Sequence, residues 1–432
     1  GDGLRLQHKD PSISIDEGIQ ITGSVELQDI IVRDLEISGF GWASNAAYGM
    51  DVVGLVHRSI IQRIASIKNQ HSISFRGATS PVTGVLRWDG LSQPVALPEA
   101  SDEKPETAAP VTLGGGQVLL VGARGRYNAL SVALANFNDV QGTLELSVSD
   151  GQGGWIPVDL VRDGTSTGTI PLAQDGELQF SVPRDGLWKR QAIGGRDAYW
   201  LRVSAPSTAV FSLAGVRAYQ VPRDNTVSQL TSSESLSAAI SIRSSSYNTF
   251  SDIVIRASAQ AGIRSREGAA GRSWGNRFIN VVVLDCGEAA YNFLNSPGTQ
   301  VVGGRLAGNG AGIVQLEPAS EGSSYTGGLV IENNKAAGIY VLSDNTTIDG
   351  VTVQNNGTDL ALNETQRAGV VVAGGSGSAI RNSDISDTQP VPTQTYAVVV
   401  LAEATGTTME NNRMEGNAQG ATLVLTAGTP AP

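Results

Sequence analysis

The chain has 432 residues, with 30 Lys and Arg against 41 Asp and Glu and a formal net charge of −11. So acidic a chain is poorly suited to sequence-independent nucleic-acid binding, which needs Lys and Arg to neutralise phosphates, and no apolar run reaches the ~18 residues of a membrane-spanning helix. The lone cysteine, Cys286, excludes an intramolecular disulfide and a Cys-based zinc centre; His8, His57 and His71 show no H-E-x-x-H spacing, and no metal or cofactor is expected.

Gly is abundant at 52 residues, and Asn, Ser, Thr and Val are plentiful, a composition that suits short strands and many turns. The first residues, GDGLRLQHKD, are not a signal peptide and read as the end of a strand, as in a processed product or a fragment. Two stretches follow, "VELQDIIVRDLEISGF" and "VHRSIIQRIASIKNQHSISFRG", that share a grammar: a short apolar pair, a polar turn, a V/I-x-V/I strand, an Asn- or Gly-rich bend, then a second strand.

After Phe75-Arg76-Gly77 the grammar stops. Residues 99–110, EASDEKPETAAP, read as a flexible loop. From Val111 to Val221 alternating strands (117–121, 130–134, 143–148, 178–182, 199–203) are separated by turns at Asp150-Gly151, Asp163-Gly164, Asp175-Gly176 and Asp185-Gly186. That spacing implies an antiparallel β-sandwich. With linker chemistry at Pro81 and at Pro222-Arg223-Asp224, the expected division is 1–79, an inserted sandwich at 80–224, and 225–432.

The repeat returns from Ile240, in units such as "NRFINVVVLDCGEAAYNFLN" and "GLVIENNKAAGIYVLSDN". A small residue precedes the last strand of each unit at Gly262, Ala290, Gly312, Gly338, Gly369 and Ala397, in steps of 22 to 31 residues. A core of about 22 residues fits one turn of a parallel β-helix, three strands and three bends, which buries its inward residues only by stacking on its neighbours. Asn suits the bends because it tolerates the left-handed conformation and can bond to the backbone or to the next Asn. An ordinary all-β sandwich with coincidental spacing is the competing reading; the leucine-rich-repeat frame is absent.

Over residues 13–77 and 226–427 this grammar resembles the right-handed parallel β-helix of the pectate-lyase-like superfamily, which includes polysaccharide lyases, glycoside hydrolases, alginate epimerases, phage tailspikes and baseplate-associated proteins. The string "GGWIPVDLVRDGT…GELQFSVP…DAYWLRV" is similar to a jelly-roll module of phage-like baseplate proteins and contractile injection systems, and to some carbohydrate-binding modules. The resemblance implies an all-β fold, a right-handed β-helix interrupted by a sandwich, and leaves the activity open because the fold hosts many. In the insertion, Trp155 and Trp200 are expected to fill the core, and Trp188, in a Gly-Leu-Trp-Lys-Arg loop, is the expected exposed contact.

In such proteins a groove along one stacked sheet holds extended polysaccharide. Strand alternation sends Ile263 and Ser265 inward and Arg264 and Arg266 outward. The same register turns out Asp51, Ser74, Arg76, Ser241, Arg243 and Asn292, with Glu267 beside them. Arginine binds carboxylate and sulfate bidentately, so this stripe is a candidate site for an acidic glycan, unless each Arg pairs with an acid on an adjacent turn. Further along, the outward residues become Val314, Leu316, Tyr340, Leu342, Val371, Ala373, Val399 and Leu401. Aliphatic residues on both faces imply that the strands are covered, by a second copy in a tailspike-like trimer, by the sandwich, or by another particle subunit.

For hydrolysis, which needs two carboxylates ~5–10 Å apart, the acids in reach are Asp285 with Glu288, Glu267, and Glu317 with Glu321. Lys68 and Lys335 lie in bends, away from a lyase base's place. There is no polygalacturonase-like Asp-Asp pair. Tyr48-Gly49-Met50-Asp51 approaches an epimerase motif but lacks its Pro-His continuation, and His57 reads as a turn residue. The sequons at Asn345, Asn356 and Asn363 are what Asn/Thr-rich turns produce by chance. The expected role is a polysaccharide-engaging component of a phage tail or injection-type particle, virion-borne or extracellular, with depolymerisation open. The alternatives are a non-catalytic structural spike and a free secreted lyase or hydrolase.

Overall fold

The computed structural model describes residues 4–7, 17–40, 47–97, 110–114, 116–183 and 186–425. The flexible loop expected at 99–110 lies outside the described residues apart from Pro110, as do His8 and Asp185.

The chain forms a right-handed parallel β-helix. One face is an eleven-stranded parallel sheet running from Glu17–Gln28 through Tyr48–His57, His71–Arg76, Ile240–Arg243, Ile263–Arg266 and Ala289–Leu294 to Gly420–Val424. A fifteen-stranded sheet wraps the remaining sides. The stack is continuous across the long excursion in sequence: Ile73 pairs with Ile240 and Phe75 with Ile242, in parallel register. Inside, one apolar core runs the length of the helix. Its middle holds aromatic rings, with Phe250 and Phe278 stacked 5.0 Å apart and Tyr291 meeting Phe278 edge-on at 5.3 Å.

Each small residue before an outer-sheet strand sits at a corner too tight for a large side chain. A Cβ at Gly338 would collide with Val353 and the Gly369 carbonyl. At two other corners the bend obeys one rule. The first residue takes the left-handed conformation and the next points a polar side chain into the stack. Asn333 (φ 54°) precedes Asn334, Asn355 (φ 56°) precedes Asn356, and Tyr247 (φ 56°) precedes Asn248. The inward residues form ladders. The Asn309 amide and carboxamide both donate to Asn334 Oδ1 (3.0 and 3.1 Å), Asn334 donates likewise to Asn356 (3.2 and 2.9 Å), and Asn356 to Gln394 (3.2 Å each). Asn225, Asn248 and Asn276 make the second ladder. Cys286 occupies a rung of the first, its amide donating to Asn309 Oδ1 at 3.0 Å, so the lone thiol is a buried structural group. The sequon at Asn356 is likewise buried in the ladder, out of reach of modification in the folded chain.

The antiparallel strands of the described residues all lie between Ala78 and Gln220 and form two sheets, of six and seven strands. They share one core, with Leu130, Leu178 and Val216 from one sheet facing Leu119, Val148 and Leu201 from the other. Trp188 is a correction: it is fully buried in this core, ringed by Tyr127, Phe180 and Tyr199, with its indole N–H donating to the Trp200 carbonyl at 3.1 Å. Apolar packing plus a satisfied N–H draws it inside, where a loop position had suggested exposure. Trp155 and Trp200 do not fill the main core: Trp200 is fully buried and Trp155 half-buried, both in a small separate cluster with Leu86 and Leu120. His57, read as a turn residue, ends a strand and is buried.

The ladder sets a stability test. In Asn334→Ala, the Asn309 donors and the Leu306 carbonyl lose their partner. At ~1–3 kcal/mol per buried unsatisfied group, the variant should lose about 3 kcal/mol or more in urea unfolding, whereas the exposed Lys335→Ala should change little. Equal midpoints for the two would refute the ladder's role.

Candidate functional site

Alternation places the expected arginines on the outer face of the eleven-stranded sheet, but in two columns instead of one. Arg76, Arg243 and Arg266 share a register position on successive strands, and Asp51, Ser74, Ser241, Arg264 and Asn292 share the neighbouring one. Stacked strands bring each column's members ~4.8 Å apart. Outward does not mean exposed here: Asp51, Ser74 and Ser241 are buried. Arg76 binds the buried Asp51 through two hydrogen bonds, Nε to Oδ1 at 3.0 Å and Nη2 to Oδ2, and lies 5.0 Å over the Tyr48 ring. Arg264 pairs with Glu288 at 2.8 Å.

Arg243 and Arg266 are different. Neither side chain makes a hydrogen bond or ion pair with a described residue, and Arg243 Nε is buried without a partner. Burial, then the charges of Arg243 and Arg264, lower the Arg266 pKa. Burial also pushes His71 down to about 4, against a hydrogen bond with the Ala238 carbonyl and with the help of Arg243, Arg264 and Arg266. The face is therefore electropositive within an acidic chain.

The next loop, Glu267 to Trp274, leaves the β-helix and meets the sandwich. Ala270 is fully buried against Ala129, Tyr219 and Val221, and Gln179 Nε2 donates across the junction to Ser246 Oγ at 3.3 Å. Beside this contact opens a cleft of about 710 Å³. The sandwich contributes Arg162, Glu177 and Arg217; the β-helix contributes Glu267, Arg272, Trp274 and Glu321. Glu321 pairs with Arg272 at 3.3 Å, Glu267 accepts from Asn295 Nδ2 at 2.8 Å, and the Arg162 guanidinium lies over the Trp274 ring.

Glu177 is the unusual group. Its carboxylate lies against the backbone of Gly271, where a Cβ would stand 2.7 Å from Oε2 and φ is +90°, so a side chain there would strain the backbone and displace the carboxylate. Burial raises its pKa to about 7, outweighing the Gln179 hydrogen bond, the Arg162 charge, Trp274 and Arg272, which all lower it. Such a carboxyl can carry a proton near neutral pH and deliver it. Sequence reasoning missed it because "GELQF" shows a Glu on a sandwich strand and nothing of the loop that buries it. Of the acids proposed from sequence, Glu267 and Glu321 reach the cleft; Glu288 is tied to Arg264 and Glu317 is exposed elsewhere. Lys68 pairs with Glu234 at 3.3 Å. Among the described residues no group of three or more His, Cys, Asp or Glu is placed to hold a metal ion, and no helix is long and apolar enough to cross a membrane.

The apolar column is real but largely covers itself. Val371 and Val399, expected to be covered by a second copy, the sandwich or another subunit, are buried within this chain with Ala337, Ala368 and Ala373, and the half-buried Tyr340, Leu342, Tyr396, Leu401 and Leu423 pack around them. Val314 is half-buried, while Leu316 keeps 45% of its surface exposed. Asn292, between Arg264 and Val314, has its Oδ1 buried without a partner.

A family model described as "Right handed beta helix region" matches residues 320–430. No curated protein matches the chain. Among solved structures, the chain is similar to the Azotobacter vinelandii mannuronan C-5 epimerase AlgE4 A-module (10% identity, 95% of this chain and 88% of that one, TM-score 0.36). It is also similar to the catalytic domain of a GH87 α-1,3-glucanase (10%, 82% and 99%, TM-score 0.29) and to the Pseudomonas phage phi297 tailspike (9%, 84% and 65%, TM-score 0.33).

Glu177 has a pH signature. Its folded pKa of about 7 lies above its ordinary value of 4.5, so the folded chain holds the extra proton between those values. The stability it contributes is complete below about pH 4.5 and is lost as pH rises through about 7. Glu177→Gln should therefore gain on the native chain between pH 5 and pH 8.5 by on the order of 3 kcal/mol. Parallel melting temperatures across that range would show that Glu177 does not titrate there.

Proposed function

We propose that this chain engages an acidic polysaccharide, laid along the arginine face of the β-helix and leading into the cleft against the sandwich. The observation that carries this reading is the pair Arg243 and Arg266. They are cations one turn apart, with no acid neutralising them among the described residues, in a chain of net charge −11. Guanidinium groups form charge-assisted, bidentate bonds to carboxylate or sulfate, and ~4.8 Å stacking presents them as a regular row to a polymer with regularly spaced anions. Arg266 is followed directly by Glu267, the first β-helix residue of the cleft, so the stripe and the cleft are contiguous. Arg76 and Arg264, already paired, shape the face and are not its free ligands.

A second reading, hydrolysis in the cleft, is favoured by Glu177. A protonated carboxyl is the general-acid half of glycoside hydrolysis, and Glu267 and Glu321 line the same space. The proposed setting is the extracellular surface of a phage tail or injection-type particle. A rod of stacked turns suits a spike, and the apolar cluster around Tyr340 and Leu342 suits contact with further copies, as in a trimer, or with other subunits.

Binding to a panel of polyuronates, sulfated glycans and neutral dextran, at low and high salt, tests this. Each lost charge-assisted contact is worth ~1.5–3 kcal/mol, so Arg243→Ala/Arg266→Ala should bind acidic polymers at least about tenfold more weakly. Equal binding of acidic and neutral polymers by the native chain would sink the proposal. Reducing-end release, with absorbance at 235 nm for unsaturated products, separates binding from cleavage, and Glu177→Gln should abolish any hydrolysis. Light scattering reports whether the rod is a monomer or a trimer.

A further inference from the structure

The outer face of the seven-stranded sheet carries a second groove, of about 280 Å³, remote in composition from the cleft. Trp88, at the end of the strand Val82–Trp88, and Trp155, at the start of Trp155–Val158, stand along it. Both rings are half-buried, and they pack on a small cluster of Leu86, Leu120, Ala198 and the fully buried Trp200. The rings are held. Trp88 Nε1 donates to the Ser92 carbonyl at 2.8 Å. Trp200 Nε1 donates to the Gln191 carbonyl at 2.8 Å, which fixes the strand Arg190–Ile193 as one wall. Trp200 itself lies flat over Gly122, where a Cβ would stand 2.7 Å from its ring. Gln191 lines the groove, and its Oε1 is buried with no hydrogen-bond partner among the described residues. Gln93 and Ser92 add polar groups, and no lining residue is charged; the Arg202 guanidinium, outside the lining, lies 5.9 Å over the Trp88 ring.

We infer that this groove binds an uncharged sugar unit, so that the sandwich holds neutral glycan independently of the arginine face. A pyranose has an apolar C–H face and a polar rim. Indole rings offer large, rigid apolar surfaces, and the polar groups of Ser92, Gln93 and Gln191 along the groove suit the hydroxyl rim. The volume is just below the ~300–1,000 Å³ of pockets for drug-sized ligands, the size for one or two sugar rings at a chain end or branch. With no charged residue in its lining, and with the Arg202 guanidinium engaged on the Trp88 ring, the groove favours neutral sugars over uronates and sulfates, the reverse of the cleft with its Arg162, Arg217 and Arg272. The inference stands without the proposed function, because the two sites share no residue.

The test uses the full chain and neutral oligosaccharides (β-1,3- and β-1,4-linked glucans, maltohexaose and xylohexaose) in affinity electrophoresis and titration calorimetry. Trp155→Ala and Trp88→Ala should each weaken neutral-glycan binding by about tenfold or more (~1.4 kcal/mol), with acidic-polymer binding unchanged. Gln191→Glu, which keeps the side chain's shape and places a charge in the groove, should weaken binding while the circular-dichroism melt stays native-like. Arg243→Ala/Arg266→Ala should leave neutral-glycan binding intact. Failure of the native chain to bind any of these sugars would overturn the inference, as would native-level binding by all three groove variants.

Discussion

Parallel register, held by buried polar ladders, is the constraint on which the rest of this molecule depends. A single turn cannot bury its inward side chains or satisfy its corner amides; only the next turn can do both. The inward Asn residues at the corners turn that need into specificity. In the first ladder each carboxamide accepts from the turn before it and donates both to the turn after it and to a carbonyl of the turn before it. A slip of one residue would leave buried donors without acceptors and flip every strand's faces. The functional consequence lies on the outside. Arg76, Arg243 and Arg266 form a column only because Phe75, Ile242 and Ser265 form one within.

The excursion into the sandwich respects the same constraint. The chain leaves after Arg76 and returns so that Ile73 and Ile240 still pair as neighbours. The sandwich is then fastened by the loop after Arg266, with Ala270 seated among Ala129, Tyr219 and Val221. That loop makes the cleft. It also desolvates Glu177, so a packing contact and an unusual proton affinity share one cause. Opposite surfaces of the sandwich have opposite chemistry: a charged wall toward the β-helix and an uncharged aromatic groove on the outer face of the other sheet.

Much of the fold was legible because its signals are local and repeated. The small residues at Gly262, Gly338 and Gly369, the Asn333-Asn334 bend and the V/I-x-V/I strands belong to a unit that recurs every 22 to 31 residues, and the strands expected in the insertion fall on observed strands. The outward direction of Arg264, Arg266 and Asn292 followed from alternation alone. Alternation has no term for neighbouring side chains, so it could not show that Asp51 and Ser74 would be buried, that Arg76 would be consumed by Asp51, or that Val371 and Val399 would be closed over by their apolar neighbours. The tryptophans illustrate the same limit. Trp188 sits in a loop-like string yet is fully buried, while Trp155 sits in a strand and borders a groove.

The sequence by itself determined the repeat, the inward and outward faces of each strand, and the net charge against which an arginine row stands out. Period, alternation and composition are properties of a few adjacent residues. Only the tertiary structure decided which arginines remain unpaired, which acid is desolvated, and which tryptophans are half-exposed. Those properties belong to contacts between segments far apart in the chain: Glu177 with Gly271, Arg76 with Asp51, Trp88 with Trp155. Coulomb pairing and burial depend on distances in space, which no local pattern encodes.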